Sequence, residues 1–326
     1  MNTLVIGGSG HIGNAVVRLL LEHGHNISAC GRRKETPINL QDLRIRYVVG
    51  DAESPGQFDK WVQGHDLVVD AAAPYPLGVF PSANAQGDLL LRAETRTQRL
   101  LDAVARHNVQ LAYVSSCITL AQPRTNAQKF QAKLMRTVLP YFDVKQLIET
   151  LIIDAGRRGI SAVIINPTYC LGPWDIRERR YCMIPLLVRG EIPGSISKML
   201  HVIDVRDVAA ALLAAIDNKR HGQPILVSSF KIQAHDLYSK ICEIAGVPAP
   251  RLRFPAEPVL AGAYFLELIS GAAGLESPLS SGALMISTVF DCLEPAEELK
   301  KLDITPRPLS KTITDSIKWY REIGYC

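Results

Sequence analysis

No two cysteines in this 326-residue chain stand as C-x-x-C, and their number, seven, is odd. That spacing offers neither a disulfide framework nor a zinc site, and reduced thiols are expected. The eight histidines include no H-x-x-x-H or H-x-E pattern, so no metal site is expected. No apolar run reaches the roughly 18 residues of a membrane span. The nearest, Val259 to Ile269, is shorter and contains Glu267. There is no long Lys/Arg block, and the net charge is only +4, which argues against a nucleic-acid partner. No basic stretch, apolar run and cleavage site open the chain, so a cytoplasmic location is expected. Internal repeats and low-complexity segments are also missing. Hydrophobic residues make up 47% and charged residues 21%, ordinary globular values that exclude disorder, collagen and coiled coil.

The length suits one large domain or two intimate ones, at roughly 100–200 residues each. Strand and helix alternate through the first half. Thr3–Ile6, Asn26–Cys30, Arg46–Val49, Leu67–Ala72, Gln110–Ser115 and Ser161–Asn166 read as strands. Helices are expected over Asn14–His23, Thr95–His107 and Tyr141–Arg158, from their apolar periodicity. Such a series predicts an α/β fold of the Rossmann type, a doubly wound parallel sheet covered by helices. After Pro167 the rhythm breaks, then Val205–Asp217 returns as a helix and Ile225–Ser228 as a strand. The expected division is a nucleotide-binding core of 1–170 plus 200–228, with a smaller C-terminal substrate lobe of 171–199 plus 229–326.

Between the first strand and first helix lies Gly7-Gly8-Ser9-Gly10-His11-Ile12-Gly13. In this context Gly7 permits a tight turn, Gly10 lets backbone approach a pyrophosphate, and Gly13 lets helix pack on strand. The helix start, including His11 and Ile12, offers amide groups and a positive dipole end to phosphates. Strand two ends Cys30-Gly31-Arg32-Arg33-Lys34, without the acid that would bind ribose hydroxyls and favour NAD. A basic cluster there suits the 2′-phosphate, so NADP(H) is the expected cofactor, with Arg32 ahead of Arg33 as the contact. Asp51, after strand three and followed by Ala52, is placed for the adenine amino group. Ala71, Ala72 and Ala73, after strand four, are small enough for backbone to close on the nicotinamide ribose.

The reactive end is Tyr141-Phe142-Asp143-Val144-Lys145, a single Y-x-x-x-K. Residues four apart share a helix face. An ammonium one turn from a phenol favours phenolate and draws its pKa down from about 10. Tyr141 can then donate a proton to a carbonyl oxygen as hydride arrives, while Lys145 tunes it and can hold the nicotinamide ribose. Ser116, just past strand five, can hydrogen-bond the same oxygen, with Ser115 as the rival serine.

These motifs resemble the extended short-chain dehydrogenase/reductase family, within the NAD-dependent epimerase/dehydratase superfamily, from residue 3 to about 230. The resemblance implies a Ser–Tyr–Lys triad at Ser116, Tyr141 and Lys145 and a glycine turn at Gly7, Gly10 and Gly13. It also implies the family's D-[AVL] at Asp51-Ala52 and its R-P-x-x-x-x-G-P over Asn166 to Pro173, which brings Pro167 and Thr168 to the cofactor. The basic end of strand two is most similar to the dihydroflavonol-reductase and 3β-hydroxysteroid-dehydrogenase branch. Ile6 replaces the usual Thr of the glycine turn and Asn166 the usual Arg. Ala93 stands where many members carry an active-site Asn. By the same resemblance, the two long helices would form a homodimer interface.

The implied activity is an NADP(H)-dependent interconversion of a carbonyl and a secondary alcohol on a small molecule. An NAD-retaining nucleotide-sugar epimerase or dehydratase is the alternative, opposed by the basic residues after strand two. A non-catalytic NADP(H)-binding protein is the other, opposed by the presence of both Tyr141 and Lys145. Arg177, Arg179 and Arg180 suit either an anionic substrate or a solvated loop. Residues 255–290 read as lobe packing or a substrate lid in preference to a membrane contact.

Overall fold

The computed structural model describes residues 1–72, 83–126, 129–130, 133, 136, 139–176, 182–272, 293 and 297–326. Ala73, Arg177, Arg179 and Arg180 lie outside the described residues, as does much of 255–290.

The elements run β1 (Asn2–Ile6), α1 (His11–Glu22), β2 (Asn26–Gly31), β3 (Arg46–Val49), α2 (Gln57–Val62), β4 (Leu67–Asp70), α3 (Ala83–His107), β5 (Gln110–Val114), α4 (Tyr141–Arg157), β6 (Ala162–Pro167) and β7 (Tyr169–Leu171). They continue α5 (Met183–Val188), β8 (Gly194–Ile196), β9 (Met199–Asp204), α6 (Val205–Asp217), β10 (Pro224–Val227), β11 (Phe230–Gln233), α7 (Ala234–Ala245), β12 (Leu252–Phe254), α8 (Ala256–Ala272), α9 (Glu298–Lys301) and α10 (Leu309–Glu322).

Seven strands form one sheet in the order β10-β6-β5-β4-β1-β2-β3. Every pairing in it is parallel. The alternation of side chains divides the interior in two. Val5, Val69, Ala112, Val114, Val163 and Ile165 face α1 and α6. Leu4, Ile6, Val68, Leu111, Tyr113 and Ile164 face α2, α3 and α4. Strands buried on both faces read as continuous apolar runs, which is why β4, β5 and β6 were legible. The chain order reverses between β1 and β4, and an open sheet leaves a crevice at such a switch point, beyond its carboxyl ends.

Several boundaries differ from expectation. The first helix starts at His11, three residues early, because Gly10 in extended conformation serves as its cap. Strand four ends at Asp70 instead of Ala72, where Asp70 Oδ1 accepts the Ala72 amide and turns the chain. The third helix begins at Ala83 instead of Thr95. Its first half, with Gln86, Gly87 and Asp88, carries no apolar stripe to announce it. Beyond Pro167, β7, β9 and β11 form a three-stranded sheet, and β8 pairs with β12. Strands of three to six residues in a proline- and glycine-rich stretch are too short to show a period.

Candidate active site

The glycine turn is shaped by contacts that no side chain could survive. Gly7 has φ +79°, and a Cβ there would lie 2.7 Å from the Cβ of Ala72. A Cβ on Gly13 would lie 2.2 Å from the Gly7 carbonyl oxygen. These two glycines close the helix onto the strand. Gly10 is different: it is exposed, and its Cβ would meet only the Gly7 oxygen, at 3.2 Å. No side chain caps α1, so its N-terminus, with His11 and Ile12 in the first turn, can receive an anion. His11 Nδ1 lies 4.0 Å from Asp175 Oδ2. Behind the turn, Asn39 donates to the carbonyls of Ser9 and Trp174, both at 3.0 Å, and ties the glycine loop to the segment after β7.

Arg32 and Arg33 follow β2 and are exposed. A Cβ on Gly31 would fall 2.9 Å from the Tyr47 hydroxyl, which donates to the Arg33 carbonyl at 3.2 Å and braces this turn. Asp51 is exposed and accepts the Glu53 amide at 3.0 Å within its own turn. Half-buried Ala52 packs against the α2–α3 side of the core. Ala71 and Ala72 sit directly on Gly7. Thr168 is pinned to β10, its amide and hydroxyl both donating to the Val227 carbonyl, at 3.1 and 3.4 Å. Pro167 ends β6 beside it. An exposed glycine, an uncapped helix start and exposed basic residues after β2 lie at the carboxyl edge of one sheet and fit a nicotinamide dinucleotide.

At the other side of the switch point, α4 opens with Tyr141 and carries Lys145 and Glu149 at successive four-residue steps, all three buried. Such spacing makes one stripe along the helix. Tyr141 packs in one apolar cluster with Cys117, Ile118, Leu139 and Phe142. Ser116 caps the short 3₁₀ turn Cys117–Leu120, its hydroxyl accepting the Ile118 amide at 3.4 Å. The structure therefore brings all three expected catalytic residues to the carboxyl end of β5. Lys145 Nζ lies 6.0 Å from the Tyr141 ring centre. It donates to the Val114 carbonyl at 3.3 Å and to the Tyr113 hydroxyl at 3.4 Å. Burial, opposed by Asp70 and Glu149 and aided by Arg96, pushes the Lys145 ammonium down to about 8.

Two buried groups were not anticipated from the residues. Asp70 and Arg96 make a two-pronged pair, 2.8 Å at each contact, with both side chains almost wholly enclosed. Burial alone would raise Asp70, but the Arg96 guanidinium outweighs it and holds the carboxyl below its ordinary value. Asp70 also receives the Ala72 amide at 3.2 Å, so the pair fixes the turn that lies on Gly7. Tyr113, fully buried beside this pair, is pushed well above the usual phenol range by desolvation and by Asp70. It is held as a neutral phenol.

The second group centres on Glu149. Its Oε2 accepts from Ser115 Oγ at 2.5 Å, Thr119 Oγ1 at 2.9 Å and Asn166 Nδ2 at 2.7 Å. The amide nitrogen of Asn166 also faces the Ser116 carbonyl at 3.1 Å and Thr119 Oγ1 at 2.8 Å. Among the described residues the Asn166 Oδ1 has no partner, at a cost of about 1–3 kcal/mol for a buried acceptor. The signal for Glu149 was the i+8 repeat of the Tyr141 stripe; nothing local marked Asp70 or Arg96. Ala93 is fully buried on α3, its carbonyl accepting from Thr97.

The model of the NAD dependent epimerase/dehydratase family matches residues 3–228, and the chain belongs to that family. It is thus an extended short-chain dehydrogenase/reductase. A candidate dihydroflavonol 4-reductase from Synechocystis sp. is 25% identical over 331 residues, covering 98% of this chain and 95% of the relative. Tetraketide alpha-pyrone reductase 2 from Arabidopsis thaliana is 26% identical over 280 residues, 77% of this chain and 84% of that one. The crystal structure of gox2253 superimposes with a TM-score of 0.78 at 25% identity, covering 99% of each chain.

Proposed function

We propose that this protein is an NADP(H)-dependent oxidoreductase that interconverts a carbonyl and a secondary alcohol on a small organic molecule. The observation that carries this reading is the seating of the Tyr141–Lys145 stripe of α4 against the end of β5 that bears Ser116. Gly7, Gly10, His11, Ile12 and Gly13 would hold the pyrophosphate, with Arg32 and Arg33 on the 2′-phosphate and Asp51-Ala52 at the adenine. Ala71 to Ala73, Pro167 and Thr168 would flank the nicotinamide end. When bound, the dinucleotide supplies or accepts a hydride at the nicotinamide. Tyr141 gives its hydroxyl proton to the carbonyl oxygen, Ser116 donates a hydrogen bond to that oxygen and orients it, and Lys145 in its ammonium form stabilises the phenolate left on Tyr141. Support for the carbonyl-reductase branch comes from the two reductase-named relatives and from the apolar side chains packed around Tyr141. The reading includes a core of 1–170 plus 200–228, a homodimer through α3 and α4, and a cytoplasmic setting.

The test is NADPH oxidation against 2-tetralone, dihydroquercetin and a 3-keto steroid. Wild-type protein is expected to reduce at least one of them, and Tyr141→Phe to bind NADPH normally while losing at least ~10²-fold in turnover. Near-native turnover by the Phe variant overturns the assignment. So does a protein that reduces no probe, retains its dinucleotide through purification and epimerises a nucleotide sugar without added cofactor.

A further inference from the structure

We infer that Glu149 is a positioning residue for the reaction, clamping the Ser116 turn onto the helix that carries Tyr141 and Lys145. The inference rests on the reductase reading above and adds a residue to it. Three things in the geometry single Glu149 out. One carboxylate oxygen gathers donors from three separate segments: Ser115 at the end of β5, Thr119 in the 3₁₀ turn and Asn166 on β6. All three donors are neutral, although Glu149 is almost wholly buried, at 2% exposure. Lys145, one turn away on the same helix, contributes its charge, but the direct contacts to this buried carboxylate oxygen come from neutral donors, whose hydrogen bonds must replace the water it has lost.

The third feature is Asn166, which relays the clamp to the reacting end. Its amide nitrogen spans Glu149 Oε2 and the Ser116 carbonyl. Ser116 is therefore gripped at its carbonyl from β6, and its neighbour Ser115 at its hydroxyl from α4. Tyr141 and Glu149 belong to one rigid helix, so these bonds set the distance and angle between the Ser116 and Tyr141 hydroxyls. A shift of about 1 Å between two groups that share one substrate oxygen costs rate more than binding. Neither serine can supply this constraint alone, because the 3₁₀ turn carrying Ser116 is only four residues long and its cap bond, at 3.4 Å, is long.

The experiment compares Glu149→Gln, Glu149→Leu and Asn166→Leu with wild type, using NADPH and whichever of the three ketone probes is reduced. Glu149→Gln keeps an acceptor oxygen and is expected to stay within about threefold of wild-type kcat. Glu149→Leu and Asn166→Leu are expected to lose ten- to a hundredfold in kcat, with NADPH Kd and substrate KM changed less than threefold. Hydrogen exchange at the Ile118 and Thr119 amides should quicken at least tenfold in both Leu variants, while the amides of Ile148 to Ile152 stay protected. Unchanged kcat and unchanged exchange in soluble, folded Glu149→Leu would overturn the clamp. Parallel losses in Kd, KM and thermal stability, with Gln no better than Leu, would reduce Glu149 to a fold element and overturn it equally. If wild type reduces no probe, the functional reading falls first, and the exchange experiment still decides whether the clamp exists.

Discussion

Replacing Arg96 by Met removes one half of an enclosed ion pair and leaves Asp70 at 1% exposure with the Ala72 amide as its remaining hydrogen-bond donor among the described residues. Breaking a buried pair from one side costs about 3–5 kcal/mol, because the surviving charge has lost both water and partner. Unfolding entropy of about 2.1 cal/mol/K per residue over 326 residues converts 4 kcal/mol into a fall in Tm of about 6 °C. The pH dependence has a definite sign. In wild type the folded Asp70 pKa lies below its unfolded value, so its contribution is present above the ordinary carboxylate range and is lost as pH falls through the folded value. In Arg96→Met burial, which raises the pKa, is opposed only by the Ala72 amide and the more distant Lys145 charge, so the Asp70 pKa rises and the penalty shrinks toward pH 5. Guanidinium unfolding at pH 5 and pH 8 measures both effects. The double variant Asp70→Val/Arg96→Met, with neither charge of the pair left to bury, should recover most of the loss. A penalty under about 1 kcal/mol at pH 8, or a double variant no better than the single one, would refute the reasoning.

Ser116→Ala should lower kcat/KM by about 1–3 kcal/mol, whereas Ser115→Ala, which loses one of three donors to Glu149, should cost less than about 1 kcal/mol; steady-state kinetics with NADPH that give the opposite order would move the catalytic serine by one residue. Arg32→Ala should weaken NADPH ten- to a hundredfold and leave NADH unchanged, as fluorescence titration would show; equal wild-type affinity for the two coenzymes would overturn the cofactor preference. With Lys145 in its proposed role as an ammonium, reductive kcat/KM should fall as pH rises through about 8, and a profile flat to pH 9.5 would detach Lys145 from the proton transfer.

Local patterns were enough for the parallel sheet, the glycine turn and the Tyr141–Lys145 stripe. Each depends on residues near one another in the chain: apolar runs for strands buried on both faces, glycines at three-residue steps from Gly7 to Gly13, and a four-residue step on one helix. The choice between Ser115 and Ser116 was half legible, since alternation places them on opposite sides but does not show what waits there. The fold shows Glu149 on one side and the Ile118 amide on the other. The environment of Lys145 could be read from no local pattern. Asp70 meets Arg96 across 26 positions, Lys145 meets Tyr113 across 32, and Asn166 meets Ser116 across 50. Strand order decides those meetings, because β5 lies between β4 and β6 while α3 and α4 cover the same face. An isolated Asp or Glu in the sequence reads as a solvated charge. Only when the sheet closes over it does its partner become a requirement, since an ion removed from water is tolerated solely where another group replaces that water.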